Sequence, residues 1–130
     1  MDRSSATGRP AATAGIRCQV DIDVDGRFGW RLVAINGRSV AVSLTSYDTH
    51  ARCRTAFHRL CSGHADMGGG IQHSSEGGGW VWVLWDTAGR HLARSARTYE
   101  RHATCRSAYG RFRALLPELA TAGTELWAQT

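Results

Sequence analysis

Three carboxylates at alternate positions and a glycine, Asp21, Asp23, Asp25 and Gly26 in "DIDVDGRFGWRL", open the stretch of this sequence that most resembles a cation site. Calcium loops of the EF-hand type space their oxygen ligands this way, turn sharply at a glycine in the sixth place, and close with a bidentate carboxylate in the twelfth. Counted from Asp21, the twelfth place is Leu32, so the closing ligand is missing. The same residues alternate as a strand does. Val20, Ile22 and Val24 are expected to point inward with the acids in water, and Asp25-Gly26 to turn the chain toward Phe28.

A second arrangement has metal character. His50-x-x-Cys53 recurs as His102-x-x-Cys105, and Cys61-x-x-His64 adds a third pair. A His and a Cys three apart share a helix face, so two such helices could supply a tetrahedral zinc set. Helical periodicity argues otherwise. Cys53 and Cys105 fall in the middle of apolar stripes, where cysteine packs as a small hydrophobe. An activated thiol would also need access and a base, so core packing is the reading taken here. No catalytic residue, metal or cofactor is assigned from the sequence, and the chain is not expected to be an enzyme.

The basic residues are the third candidate. All 16 are arginine and the net charge is +5. Arg54 and Arg59 on one expected helix, with Arg106 and Arg111 on another, lie mostly off the apolar stripes. They are the candidate contacts for weak, sequence-independent binding of nucleic-acid phosphates. A solvated, arginine-rich helix face is the plainer reading.

The elements that would hold these residues emerge from a repeat. Shifting the sequence by 52 places Trp30 on Trp82, Leu32 on Leu84, Gly37 on Gly89, Tyr47 on Tyr99, Cys53 on Cys105 and Arg59 on Arg111. Such a match is read as a tandem duplication. The carboxylates of the opening stretch fall on His73, Ser75 and Gly77, which is no calcium loop. Within each unit the apolar period changes from 2 to 3.6. Strands are expected near 28–35 and 38–44 around a tight turn at Asn36-Gly37, then a helix from about residue 48, capped by Asp48 or Thr49, that buries Cys53, Ala56, Phe57, Leu60 and Cys61. The twin helix, about Glu100 to Leu116, buries Cys105, Ala108, Tyr109, Phe112 and Leu116 before Pro117 breaks it. The glycine triplets at 68–70 and 77–79 read as loops around a short strand, Ile71 to Ser74. Trp127 lies in a last strand or short helix.

The pattern in "FGWRLVAINGRSVAVSLTSY" with "CRTAF", and more loosely in "WVWVLWDTAGRHLARSARTY" with "CRSAY", resembles the YegP-like family of small proteins built from one or two such units. The resemblance spans about residues 18 to 116. It implies an α+β fold in which two tandem β-β-β-α repeats share one mainly antiparallel sheet, with two helices packed on it and a pseudo-twofold relation between the halves. It carries no catalytic residues.

At 130 residues the chain is one domain long, and 42% hydrophobic content with five tryptophans is too apolar for a disordered chain. Residues 1–17 read as a disordered tail without the apolar block of a secretory signal, so a cytoplasmic location and four free thiols are expected. Residues 18–130 read as a single domain, with repeat 1 at about 18–62, repeat 2 at about 70–116 and a C-terminal tail at 117–130. The strand at 80–85 is apolar on both faces. With helices on one side, Val33, Val83 and Trp85 would form an exposed surface for a protein partner or a second copy, unless the tail around Trp127 covers it. The expected role is a small binding or interaction module.

Overall fold

The structure, a computed structural model, describes residues 14–127. Six strands and two helices follow one another as β1 (Arg17–Ile22), β2 (Phe28–Val33), β3 (Ser39–Ser43), α1 (His50–Ser62), β4 (Gly68–His73), β5 (Trp80–Trp85), β6 (His91–Ser95) and α2 (His102–Leu119). All neighbouring strands are antiparallel, in the order β1-β2-β3-β6-β5-β4. Both helices pack on one face of this sheet, α1 over β1 and β2, and α2 over β4 and β5, and they touch each other. This is the α+β architecture that the hydrophobic periods imply. Of the tail expected over 1–17, residues 1–13 lie outside the described residues, whereas Ile16 is buried and Arg17 opens β1.

Three hairpins turn on the same geometry. Asp23 and Arg27, Ala34 and Arg38, and Asp86 and Arg90 are joined across three-residue loops, each ending in a glycine with φ between 76° and 85°, at Gly26, Gly37 and Gly89. That conformation favours glycine. The turn at Asn36-Gly37 is therefore one residue longer than a two-residue hairpin. Asp23 and Asp86 each accept two turn amides at 2.9 Å, so these carboxylates serve the bends. Asp21 instead bonds Arg31 at 2.9 Å. Ile22 and Val24 were expected inside but are 65% and 101% exposed. Ile22 is the last residue of the edge strand β1, and Val24 lies in the turn beyond it.

Two tryptophans anchor the helices. Trp30 meets Phe57 of α1 edge-on at 4.9 Å between ring centroids, and Trp82 stacks on Phe112 of α2 at 4.4 Å. Around them Cys18, Leu32, Ala41, Leu84, Ala93, Cys53, Cys61 and Cys105 complete a common core. Other contacts also recur 52 residues apart. The Trp30 amide donates to Ser43 Oγ, and the Trp82 amide to Ser95 Oγ. Phe28 bridges Tyr47, and Trp80 bridges Tyr99.

Thr49 caps α1 by accepting the Arg52 amide at 3.0 Å. Pro117 does not end α2, which continues to Leu119. The proline sits within the last turn and forgoes one backbone bond there, while fully buried Leu116 and Leu119 hold that turn to the core. Trp127 falls in a 3₁₀ turn, Thr124–Trp127, that packs against β1, with its indole against Phe57 and His58. It lies on the helix side and does not cover the opposite face.

The first glycine triplet is a further correction. Gly68, Gly69 and Gly70 form half of β4, paired with Trp85, Leu84 and Val83. They are in the strand because aromatic side chains occupy the space over them. A Cβ on Gly68 would meet the Trp85 indole, and one on Gly69 would collide with the Tyr109 hydroxyl and come within 2.6 Å of the Val83 carbonyl oxygen. Such laying of an aromatic ring over strand glycines supplies the packing that glycine lacks. Gly69→Ala is therefore expected to destabilise the fold by about 1–3 kcal/mol, measured as a fall in the urea midpoint. Gly70→Ala, whose Cβ would meet the Trp85 ring at 3.4 Å, should cost less than Gly69→Ala.

Candidate functional site

Val33 and Val83 do not form the exposed surface that their alternation suggests, since both are 2% exposed. Each stands on a strand with neighbours on both sides, Val33 between Arg17 and Ser39 and Val83 between Gly70 and Arg94. A small side chain flanked by the long stem of an arginine loses its contact with water. Trp85 is half-buried, over the β4 glycines and stacked on His91.

The metal-like pairs do not converge. Among the described residues no group of three His, Cys, Asp or Glu side chains is placed to hold a metal ion. His50 and His102 instead pack edge-on against Phe28 and Trp80. All four cysteines are free and buried. Burial pushes the Cys53 thiol up to about 11, with Asp21 adding to the effect, and the Cys61 thiol up to about 12. Burial, with Cys61 and Cys53 nearby, raises Cys18 further, and burial also raises Cys105. Such thiols are protonated at neutral pH and poor nucleophiles.

The arginines separate into different surroundings. Arg54 is half-buried, with its guanidinium 4.8 Å from the Trp127 ring centroid. Arg113 donates to the carbonyls of Met67 and His64, both at 3.0 Å, and so ties α2 to the turn after α1. Arg59, Arg106 and Arg111 are exposed, and among the described residues their guanidinium groups have no hydrogen-bond or ion-pair partner.

Arg59 and Arg111 each stand in a cleft between a helix and the middle of the sheet. The first cleft, of about 600 Å³, is lined by Tyr47, Ala56, Arg59, Leu60 and Leu92, with Arg52, Met67 and Asp86 around it. The second, of about 440 Å³, is lined by Tyr99, Ala108, Arg111, Phe112 and Val40, with Ile16, Leu115 and Glu118. The first five positions correspond one to one at the spacing of 52, with Leu92 and Val40 exchanged between the two halves. Both belong to β-bulges. The β2–β3 register skips Val40 and the β5–β6 register skips Leu92, so each is an extra residue beside a core alanine, on strands that pair at the centre of the sheet. A bulge re-aims a side chain in this way. The tyrosines come from the segments that leave the sheet for each helix. Burial, with Cys53 adding to it, holds the Tyr47 phenol above its ordinary value, so it is a neutral hydrogen-bonding group at pH 7.

A concave, largely apolar cleft with an unpaired guanidinium and a phenol can take a small amphipathic molecule. Sequence reasoning found Arg59 and Arg111 but neither the clefts nor Tyr47, Tyr99 and Glu118 as their walls. The signal that points to the clefts is Val40 on Leu92 beside Ala41 on Ala93, which breaks strand alternation at the same place in both halves.

With this geometry the chain matches two solution structures. One is UPF0339 protein SO3888 from Shewanella oneidensis, at a TM-score of 0.61 and 12% identity, covering 83% of this chain and 87% of that one. The other is the protein of unknown function yegP from E. coli, at 0.60 and 13%, covering 79% and 87%. The fold is YegP-like. The resemblance in the sequence is thus supported at the level of architecture. No protein-family model matches the sequence, and no curated protein matches it. Neither neighbour is named for an activity, and nothing in the site points to catalysis. Among the described residues no helix is long and apolar enough to cross a membrane.

The thiols give a pH dependence of known sign. A thiol whose value is raised by folding contributes stability that is complete below its unfolded value, near 8.5–9, and lost as pH rises toward the folded one. For Cys61 the loss at pH 10 is about 1–2 kcal/mol. Urea midpoints should therefore fall from pH 8 to pH 10, and Cys61→Ala should flatten part of that slope. An unchanged slope would place the Cys61 thiol in water.

Proposed function

We propose that this protein is a non-catalytic binding module made of two copies of one β-β-β-α unit, and that it holds small apolar ligands carrying an anionic group in the two helix–sheet clefts. The observation that carries the reading is the recurrence of the same five wall positions in both clefts, each wall completed by a bulge residue from the other half. Arg59 and Arg111 would hold the anion. Leu60 with Leu92, and Phe112 with Val40, would receive the apolar body. A free guanidinium beside apolar walls favours a charge-assisted bond over one made in bulk water.

A second reading, weak binding of nucleic-acid phosphates, is favoured by the unpaired guanidinium groups of Arg59, Arg106 and Arg111. One NMR titration separates the two. Hexanoate should shift the amides of Ala56 and Leu60 and those of Ala108 and Phe112. Arg59→Ala and Arg111→Ala should each weaken binding about tenfold at their own cleft only. A short single-stranded oligonucleotide that shifts the arginine faces instead, with hexanoate silent, would replace this reading with the second.

A further inference from the structure

The two clefts differ in their acids. Asp86, beside the first, already accepts the amides of Ala88 and Arg90, both at 2.9 Å. Glu118, in the second, is not so engaged. Its Oε1 is sealed from solvent and, among the described residues, accepts no hydrogen bond. The other oxygen, Oε2, is not sealed and likewise has no donor among the described residues, so a ligand that brings one gains a charge-assisted hydrogen bond there.

Arg111 stands in the same cleft with its guanidinium unpaired, and it forms no ion pair with Glu118. The two residues are seven apart on α2, about two turns or roughly 10 Å along the helix axis. Phe112 and Leu115, which fall between them in the sequence, line the same cleft, as does Val40. The second cleft therefore offers a cation and an acid two helical turns apart, together with apolar walls.

From this arrangement we infer that the cleft under α2 takes a short zwitterion with an apolar spacer, an ω-amino acid or a short peptide, its carboxylate on Arg111 and its ammonium on Glu118. This inference rests on the two-cleft reading above and adds the ligand class of one cleft. Charge separation is the specificity it predicts. An α-amino acid carries both charges on one carbon and cannot reach both residues.

The test uses isomers. 6-Aminohexanoate and norleucine have the same atoms and the same charges but differ in how far apart the charges lie, and hexanoate lacks the ammonium. Titrated into the full chain and followed by the amides of Tyr99, Ala108 and Phe112, 6-aminohexanoate should bind at least tenfold more tightly than either. Glu118→Gln should reduce its affinity to that of hexanoate. Equal affinities for the three probes on the unaltered protein, or an unchanged affinity in Glu118→Gln, would overturn the inference and leave the two-cleft reading standing. If hexanoate and 6-aminohexanoate shift neither cleft, both are overturned.

Discussion

Each helix is fastened to the sheet through a ring-on-ring contact at the centre of its own half, Trp30 with Phe57 and Trp82 with Phe112. The two tryptophans are almost wholly buried, and they are among the largest side chains in the core. Their backbone amides do not simply complete a ladder, because each donates to the hydroxyl of a serine on the adjoining strand. That contact fixes where the helix axis runs above the strands. It therefore fixes the space left beside the helix, where the clefts open.

The bulges give those clefts their walls. Without the skipped residues at Val40 and Leu92, the two central strands would alternate regularly, and one apolar side chain of each would face the opposite side of the sheet. With them, each half supplies a wall residue to the cleft of the other. The central pairing of β3 with β6, Ala41 opposite Ser95 and Ser43 opposite Ala93, brings the two walls within reach. The binding proposed here thus depends on both halves being present. Glu118 sets the two clefts apart, since it lines only the second.

Much of the fold was legible because strong local rules coincide with it. The Cys53–Phe57–Leu60 spacing marks α1, Gly37 and Gly89 mark turns, and the offset of 52 aligns residues that make matching contacts. Misreadings arose where tertiary packing overrides a local preference. Pro117 is carried inside α2 by its buried leucine neighbours, and the 68–70 glycines form a strand because Trp85 and Tyr109 fill the space that side chains would take. Ile22 and Val24 alternate correctly, but one ends the edge strand and the other lies in the turn after it, so a pattern that implies burial ends in solvent. The opposite error befell Val33 and Val83, whose cover comes from flanking residues on neighbouring strands.

The site was less legible, because clefts form between segments distant in sequence. Arg59 and Arg111 could be found from charge off the apolar stripe, whereas Arg54 on Trp127 and Arg113 on two carbonyls follow the same pattern yet are engaged elsewhere. The central claim is that two tryptophan contacts, one under each helix, hold the helices to the sheet. Its most direct test is the unfolding free energy of Trp30→Ala and Trp82→Ala against the unaltered protein. The account predicts comparable losses, about 3–5 kcal/mol each. A loss of that size for one and a negligible loss for the other would contradict it.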